Sequence, residues 1–208
     1  MPKRSVAQKS YLLAAAVAVH GCAHLPPGTL GVPVVEQQTD YSCGPATLLA
    51  VLRYWKRPAS CEQDLYPALH TTPKDGTEPF MLEAVARQNG LRAEYRIGAT
   101  VDDLRAALAA GTTVILDLQA YRDTPRRWED DWDDGHYIVL VAIDGARVYA
   151  MDPSADHGFS WLSIDELVTR WHDFEMRDGQ RRNLQHMAVF ISGDAHLPPR
   201  RGRAEKLL

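Results

Sequence analysis

The run Gly135-His136-Tyr137-Ile138-Val139-Leu140-Val141-Ala142-Ile143 is followed by Asp144-Gly145 and then Arg147-Val148-Tyr149-Ala150-Met151, and it leaves little choice of local structure. β-branched and aromatic residues fill both arms, and an Asp-Gly dipeptide between two such runs is a strong hairpin signal. A hairpin decides which side chains can meet. A two-residue loop pairing Ile143 with Ala146 sets His136 across from Pro153 and Tyr137 across from Asp152. A three-residue loop pairing Ala142 with Ala146 sets His136 across from Asp152. Directly opposed residues share a face with Cβ atoms about 4.5–5.5 Å apart. Within one residue of register, a carboxylate therefore lands beside an imidazole, which is the orienting acid a histidine base needs. The plainer readings are a buried histidine satisfying a carbonyl and a strand-ending Asp-Pro turn.

The rest of the chain alternates helix and strand without repeats. Leu48, Val51, Leu52 and Trp55 form one apolar helical face, which predicts a helix over Cys43–Trp55 with Pro45 in its first turn. Ser60 with Gln63 predicts a capped short helix toward His70, and Pro79–Asn89 a third helix stopped by Gly90. A strand over Leu91–Ile97 comes next, then a helix capped by Thr100 and Asp103 and ending at Gly111, then a strand over Thr112–Leu118. After the hairpin, Ser163 and Glu166 cap a helix reaching about Asp173, and Met187–Ser192 is a last strand. Helices come first and mainly antiparallel strands afterward, so the fold class is α+β and not a doubly wound sheet.

The remaining chemistry gathers at Gln37-Gln38-Thr39-Asp40-Tyr41-Ser42-Cys43-Gly44-Pro45-Ala46. A thiol at a helix start lies near the positive end of the helix dipole, which favours the nucleophilic thiolate. Gly44 permits close backbone approach, N–H groups sit where an oxyanion would form, and a glutamine just ahead of the cysteine can add a side-chain donor. The alternative is a small buried cysteine with two surface glutamines. The net charge of −4 argues against electrostatic capture of nucleic acid. Cys22, Cys43 and Cys61 are too few for a disulfide scaffold, and no Cys/His cluster has zinc spacing, so neither metal nor cofactor is expected. Cys61 reads as a spare thiol. Glu129, Asp130, Asp131, Asp133 and Asp134 crowd the approach to His136; they read first as a solvated loop, with a lip for a cationic substrate as the functional alternative.

Cys, His and Asp in this order, with a glutamine ahead of the cysteine, resemble the bacteriocin-processing, double-glycine-type cysteine peptidases, which have a papain-like fold. The stretches QQTDYSCGPATL and GHYIVLVAIDGARVYAMDPS carry the resemblance, which covers about Val32–Ser192. It implies Cys43 as nucleophile, His136 as general base and then acid, Asp152 as orienter and Gln37 as oxyanion donor, with Gln38 as the fallback. It also implies a peptide or protein substrate. Well-known members are domains of peptide-exporting ATPases, whereas this chain has no Walker-type phosphate loop. An amidase or transpeptidase on the same fold, or a non-catalytic peptide-binding module, are the rival readings.

The N-terminus departs from those members. Lys3, Arg4 and Lys9 precede the apolar run Tyr11–Val19 and then Val19-His20-Gly21-Cys22. This is the order of an export signal, and Gly21-Cys22 resembles a lipobox whose cysteine would be acylated and attach the protein to a membrane. The expected organisation is an export signal over 1–22, a tether over 23–32, a papain-like cysteine peptidase domain over 33–193 and a flexible basic tail over 194–208. The expected location is the periplasm or outer membrane, with the cytoplasm as the alternative.

Overall fold

The computed structural model describes residues 22–208; the segment expected to be an export signal, apart from the exposed Cys22, lies outside the described residues. The strands in chain order are β1 (Ala23–His24), β2 (Arg92–Arg96), β3 (Thr113–Gln119), β4 (Gly135–Asp144), β5 (Arg147–Met151), β6 (Phe159–Ser163), β7 (His172–Arg177), β8 (Gln180–Gln185), β9 (Ala188–Ser192) and β10 (Arg203–Lys206). The helices are α1 (Cys43–Tyr54), α2 (Tyr66–Leu69), α3 (Pro79–Gln88), α4 (Val101–Ala109) and α5 (Ile164–Arg170). One eight-stranded sheet runs β1-β10-β6-β5-β4-β3-β9-β2, and β7 and β8 form a separate hairpin. Every pairing in the sheet is antiparallel except β10 with β6, so the α+β, mainly antiparallel class holds.

Both faces of the central strands are covered, which is why β3 is buried along its whole length. Ile115, Val139, Val189 and Ile191 point to the face where α1 and α3 pack through Leu48, Val51, Leu52, Leu82 and Val85. Val114, Leu116, Leu118, Ile138, Leu140, Val148 and Ala150 point to the other face, closed by Leu104 of α4, Leu167 of α5 and Trp171. Strand alternation sorts these residues between two cores. The caps at Thr100/Asp103 and Ser163/Glu166 both form as reciprocal capping boxes.

Several expectations fail for nameable reasons. Ser60 does not cap the short helical stretch: Glu62–Leu65 is 3₁₀ with Cys61 at its N-cap, and the Ser60 carbonyl instead accepts a hydrogen bond from Arg53. The helix expected to reach Asp173 stops at Arg170, because Trp171 turns into the core and donates its indole N–H to the Met187 carbonyl. The 23–32 stretch is no free tether: Val32 is fully buried and the Leu30 N–H bonds the Val141 carbonyl. The basic tail is no free tail either. β10 lies against β6, Leu207 is buried, and the Leu208 carbonyl accepts from Tyr121 N–H and from the buried Arg170 guanidinium. An unpaired basic composition predicted fraying, but Arg170 and the sheet edge supply partners that composition does not reveal.

Neither expected hairpin register forms. The loop is Gly145-Ala146, flanked by Asp144 paired with Arg147, and positive φ is confined to Gly145, as a type II′ turn requires. A bulge between Leu140 and Ala142 then shifts the pairing to Leu140–Ala150 and Val139–Met151. Continued by one residue, that register sets Ile138 across from Asp152, with His136 one diagonal step away on the same face.

Candidate active site

α1 begins where the loop 37–42 turns into the sheet. Ser42 is fully buried, and its hydroxyl accepts the Thr39 N–H at 3.0 Å. The Gln38 N–H is held at 3.0 Å by Glu62, whose carboxylate also takes the Tyr66 hydroxyl at 2.7 Å. These contacts fix the approach to Cys43, a half-buried free thiol at the first position of the helix. Amide N–H groups in a first turn have no intrahelical partner. Gly44 is required for packing: a Cβ there would stand 2.6 Å from the Thr77 side chain, so only glycine lets the 73–77 loop close over the helix start.

His136 is buried at the start of β4, and its Nε2 lies 2.8 Å from Asp152 Oδ1. That leaves Nδ1 for the Cys43 thiol, a hydrogen-bonding neighbour of the ring. By alternation His136 and Asp152 belong to the face of Ile138 and Ala150, whereas α1 packs on the opposite face; thiol and ring meet at the open end of the sheet. The expected His–Asp contact therefore forms despite the register error. The error was two residues from the three-residue-loop alternative, parity was kept, and the imidazole spans the diagonal.

Asp152 is fully buried and fully satisfied: Oδ1 also accepts the Ser154 N–H at 3.0 Å, and Oδ2 accepts the Tyr121 hydroxyl at 2.8 Å. Burial alone would raise its pKa, but His136 and these donors hold it below the ordinary carboxylate value. For His136, burial disfavours the charged ring, yet Asp152 and Cys43 outweigh it and raise its pKa to about 10. The arrangement thus favours an imidazolium clamped between a carboxylate and a sulfur. Tyr121 also packs edge-on against the His136 ring, with centroids 5.1 Å apart. Its left-handed backbone (φ 57°) and its distance in sequence gave no signal.

Gln37 sits against the same turn. Its N–H donates to the Pro153 carbonyl, its side-chain oxygen accepts from Ser154 Oγ at 2.8 Å, and its amide nitrogen donates to the Thr39 carbonyl at 2.8 Å. One of its two amide protons remains free. Gln38 is exposed. Cys61 is a free thiol, as is Cys43.

A cleft opens from Cys43 between the 73–78 loop, the start of β4 and the start of β7. Asp117 of β3 lies in its floor. The acidic approach loop divides: Glu129 and Asp130 are exposed, Asp131 is fully buried, and Asp133 reaches the cleft while pairing with Arg126 at 2.9 Å. Among the described residues no three His, Cys, Asp or Glu side chains are grouped to hold a metal, and no helix is long and apolar enough to cross a membrane.

Comparison with known proteins gives three findings. Residues 29–177 match the Peptidase_C39 like family. The Pseudomonas aeruginosa protein FapD, described as a probable functional amyloid protease, is 25% identical over 147 residues, 67% of this chain and 57% of FapD, so the match spans less than two thirds of that relative. Two solved structures share the fold: a C39-like peptidase from Bacillus anthracis (TM-score 0.61, 16% identity, 79% of this chain and 96% of that one), and a double glycine motif protease from an AMS/PCAT transporter in complex with its leader peptide (TM-score 0.52, 19% identity, 82% and 98%).

Proposed function

This chain belongs to the Peptidase_C39 like family, and from that premise we propose that it is a cysteine peptidase working through Cys43, His136 and Asp152. The observation that carries the reading is the 2.8 Å His136–Asp152 contact, with the Cys43 thiol a hydrogen-bonding neighbour of the same ring. His136 Nδ1 takes the thiol proton, and the thiolate attacks the substrate carbonyl. The resulting oxyanion is met by first-turn N–H groups and the free amide proton of Gln37. On collapse the C–N bond breaks, His136 protonates the leaving amine, and a thioester remains. Water, deprotonated by His136, attacks the thioester, releasing the acid and returning the proton to sulfur.

Iodoacetamide labelling tests the nucleophile directly. Cys43 should react faster than Cys61 and Cys22, and equal rates for all three would reject the assignment. Product analysis separates hydrolysis from transfer, since a peptidase releases free acid even with an amine present.

Gln37→Ala is expected to lower kcat by roughly 10²–10³-fold with little change in KM, as loss of one preorganised donor does. Gln38→Ala should be nearly silent. Steady-state kinetics of both variants checks this, and a reversed order would transfer the role to Gln38.

The reading includes delivery outside the cytoplasm, supported by the basic head, apolar run and Gly21-Cys22 of the sequence. Stable anchoring takes more than one acyl chain. Mass spectrometry of protein from its native host should find a chain beginning at Cys22 and carrying lipid. A lipid-free start nearby would mean secretion, and an intact Met1 in the cytosol would refute export. Proteolysis of a leader or double-glycine type is the substrate reading that the transporter protease and its leader peptide suggest, and FapD, a probable functional amyloid protease, suggests an amyloid protein as the alternative substrate.

A further inference from the structure

The cleft beside Cys43 contains carboxyl groups that the peptidase chemistry does not use. Asp117 points from β3 into its floor with only 2% of its surface exposed, and its Oδ1 has no hydrogen-bond partner. Asp173 of β7 stands against it, packed so tightly over Gly135 that a Cβ there would meet its Oδ2. Glu78, at the start of α3, completes the wall and accepts the Met176 N–H at 3.0 Å. Among the described residues no lysine, arginine or histidine forms an ion pair with any of these three. The cleft's single lysine, Lys74, is exposed and paired with Asp75 at 3.2 Å.

Burial holds all three carboxyls above their ordinary pKa, Asp173 at about 6, and the neighbouring Asp173 pushes Asp117 and, more weakly, Glu78 further up. Like charges so close cannot all ionise without a counter-charge. A buried carboxylate oxygen without a donor is costly, and it is relieved when a donor arrives. Among the described residues no cation pairs with these carboxyls, and no three potential ligands are grouped to hold a metal.

We infer that Asp117, with Asp173 and Glu78, forms a specificity subsite for a basic side chain, lysine or arginine, of a substrate residue flanking the scissile bond. The inference rests on the peptidase reading for the identity of the cleft as a substrate cleft. An ammonium or guanidinium entering there donates to the free Asp117 oxygen and supplies the missing charge. The same wall penalises acidic residues at that position by like-charge contact. The exposed acids at the cleft mouth, Asp40 and Asp133, add a longer-range attraction.

The test separates binding from catalysis. Acetylated hexapeptides of alanine and glycine, carrying one lysine or one norleucine at each position in turn, are titrated calorimetrically into Cys43→Ala protein. At one position lysine should tighten binding by about ten- to a hundredfold over norleucine. In Cys43→Ala/Asp117→Asn that ratio should fall toward one. Cys43→Ala/Asp173→Asn serves as the second variant, and melting curves report whether each folds. Absence of a lysine-favoured position, or a preference surviving both substitutions, overturns the inference. Cleavage by wild-type protein with no lysine preference would leave the peptidase reading standing and the subsite refuted. A lysine preference in binding, without cleavage by wild type, would do the reverse.

Discussion

Cys43→Ala is expected to fold as the wild type does and to lose peptide hydrolysis by about 10⁵–10⁶-fold in kcat, the scale seen when a covalent nucleophile is removed. The thiol is half-buried at a helix start beside the His136 ring, and that imidazole is already held by Asp152, so truncating the thiol leaves the ring with its other partner. Cys61→Ser should retain wild-type rates, because that thiol lies at the N-cap of a 3₁₀ stretch and is not part of the cleft lining. Stopped or continuous assays on a cleavable peptide, with melting curves alongside, measure both. A wild-type rate in Cys43→Ala would remove the nucleophile and the proposed mechanism with it.

What the sequence made legible was local. The apolar spacing of Leu48, Val51 and Leu52 and the proline at position 45 gave α1 and hence the setting of Cys43. The reciprocal caps at Thr100 and Ser163 formed as read, because each is closed within one turn. The hairpin was read correctly as a hairpin and wrongly in register. Its bulge at Val141 frees a carbonyl for Leu30, a residue more than a hundred positions earlier, and no local pattern encodes that contact. A second Asp-Gly pair, Asp178-Gly179, both with positive φ, joins β7 to β8 as a two-residue loop. There the flanking residues are polar, Gln180-Arg181-Arg182-Asn183, so hydrophobic alternation could not flag the strand. Tyr121 and the Asp117–Asp173 pair were invisible for the same reason as the bulge: their meaning lies in partners brought together by the sheet. Parity, by contrast, is robust. A register wrong by two residues keeps the face, and so the His136–Asp152 contact was foreseen from a loop that does not form.

That contact underlies the remaining large effect. His136→Ala should cost about 10⁵-fold in kcat, and Asp152→Asn about 10³–10⁴-fold, since an imidazole without its carboxylate keeps its position but loses its charge partner. Asparagine suits the test. Its oxygen can still accept from His136 and Ser154, and its amide can donate to the Tyr121 hydroxyl, which reverses its role, so no buried group is stranded. The pair also leaves a signature in stability. The raised pKa of His136 contributes stability that is complete below about pH 6.5 and is lost as pH rises through about 10. The depressed pKa of Asp152 contributes stability that is present above about pH 4 and is lost as pH falls through its lowered value. The difference in melting temperature between wild type and Asp152→Asn should therefore be widest between about pH 4 and 6.5 and should narrow toward pH 10. Tyr121→Phe removes one donor from the carboxylate and leaves the edge-on ring, so it should shift the alkaline limb of the rate profile without abolishing turnover. Small and equal rate losses in His136→Ala and Asp152→Asn, or a melting difference that is flat with pH, would mean that the pair holds the sheet end together and takes no part in moving the proton.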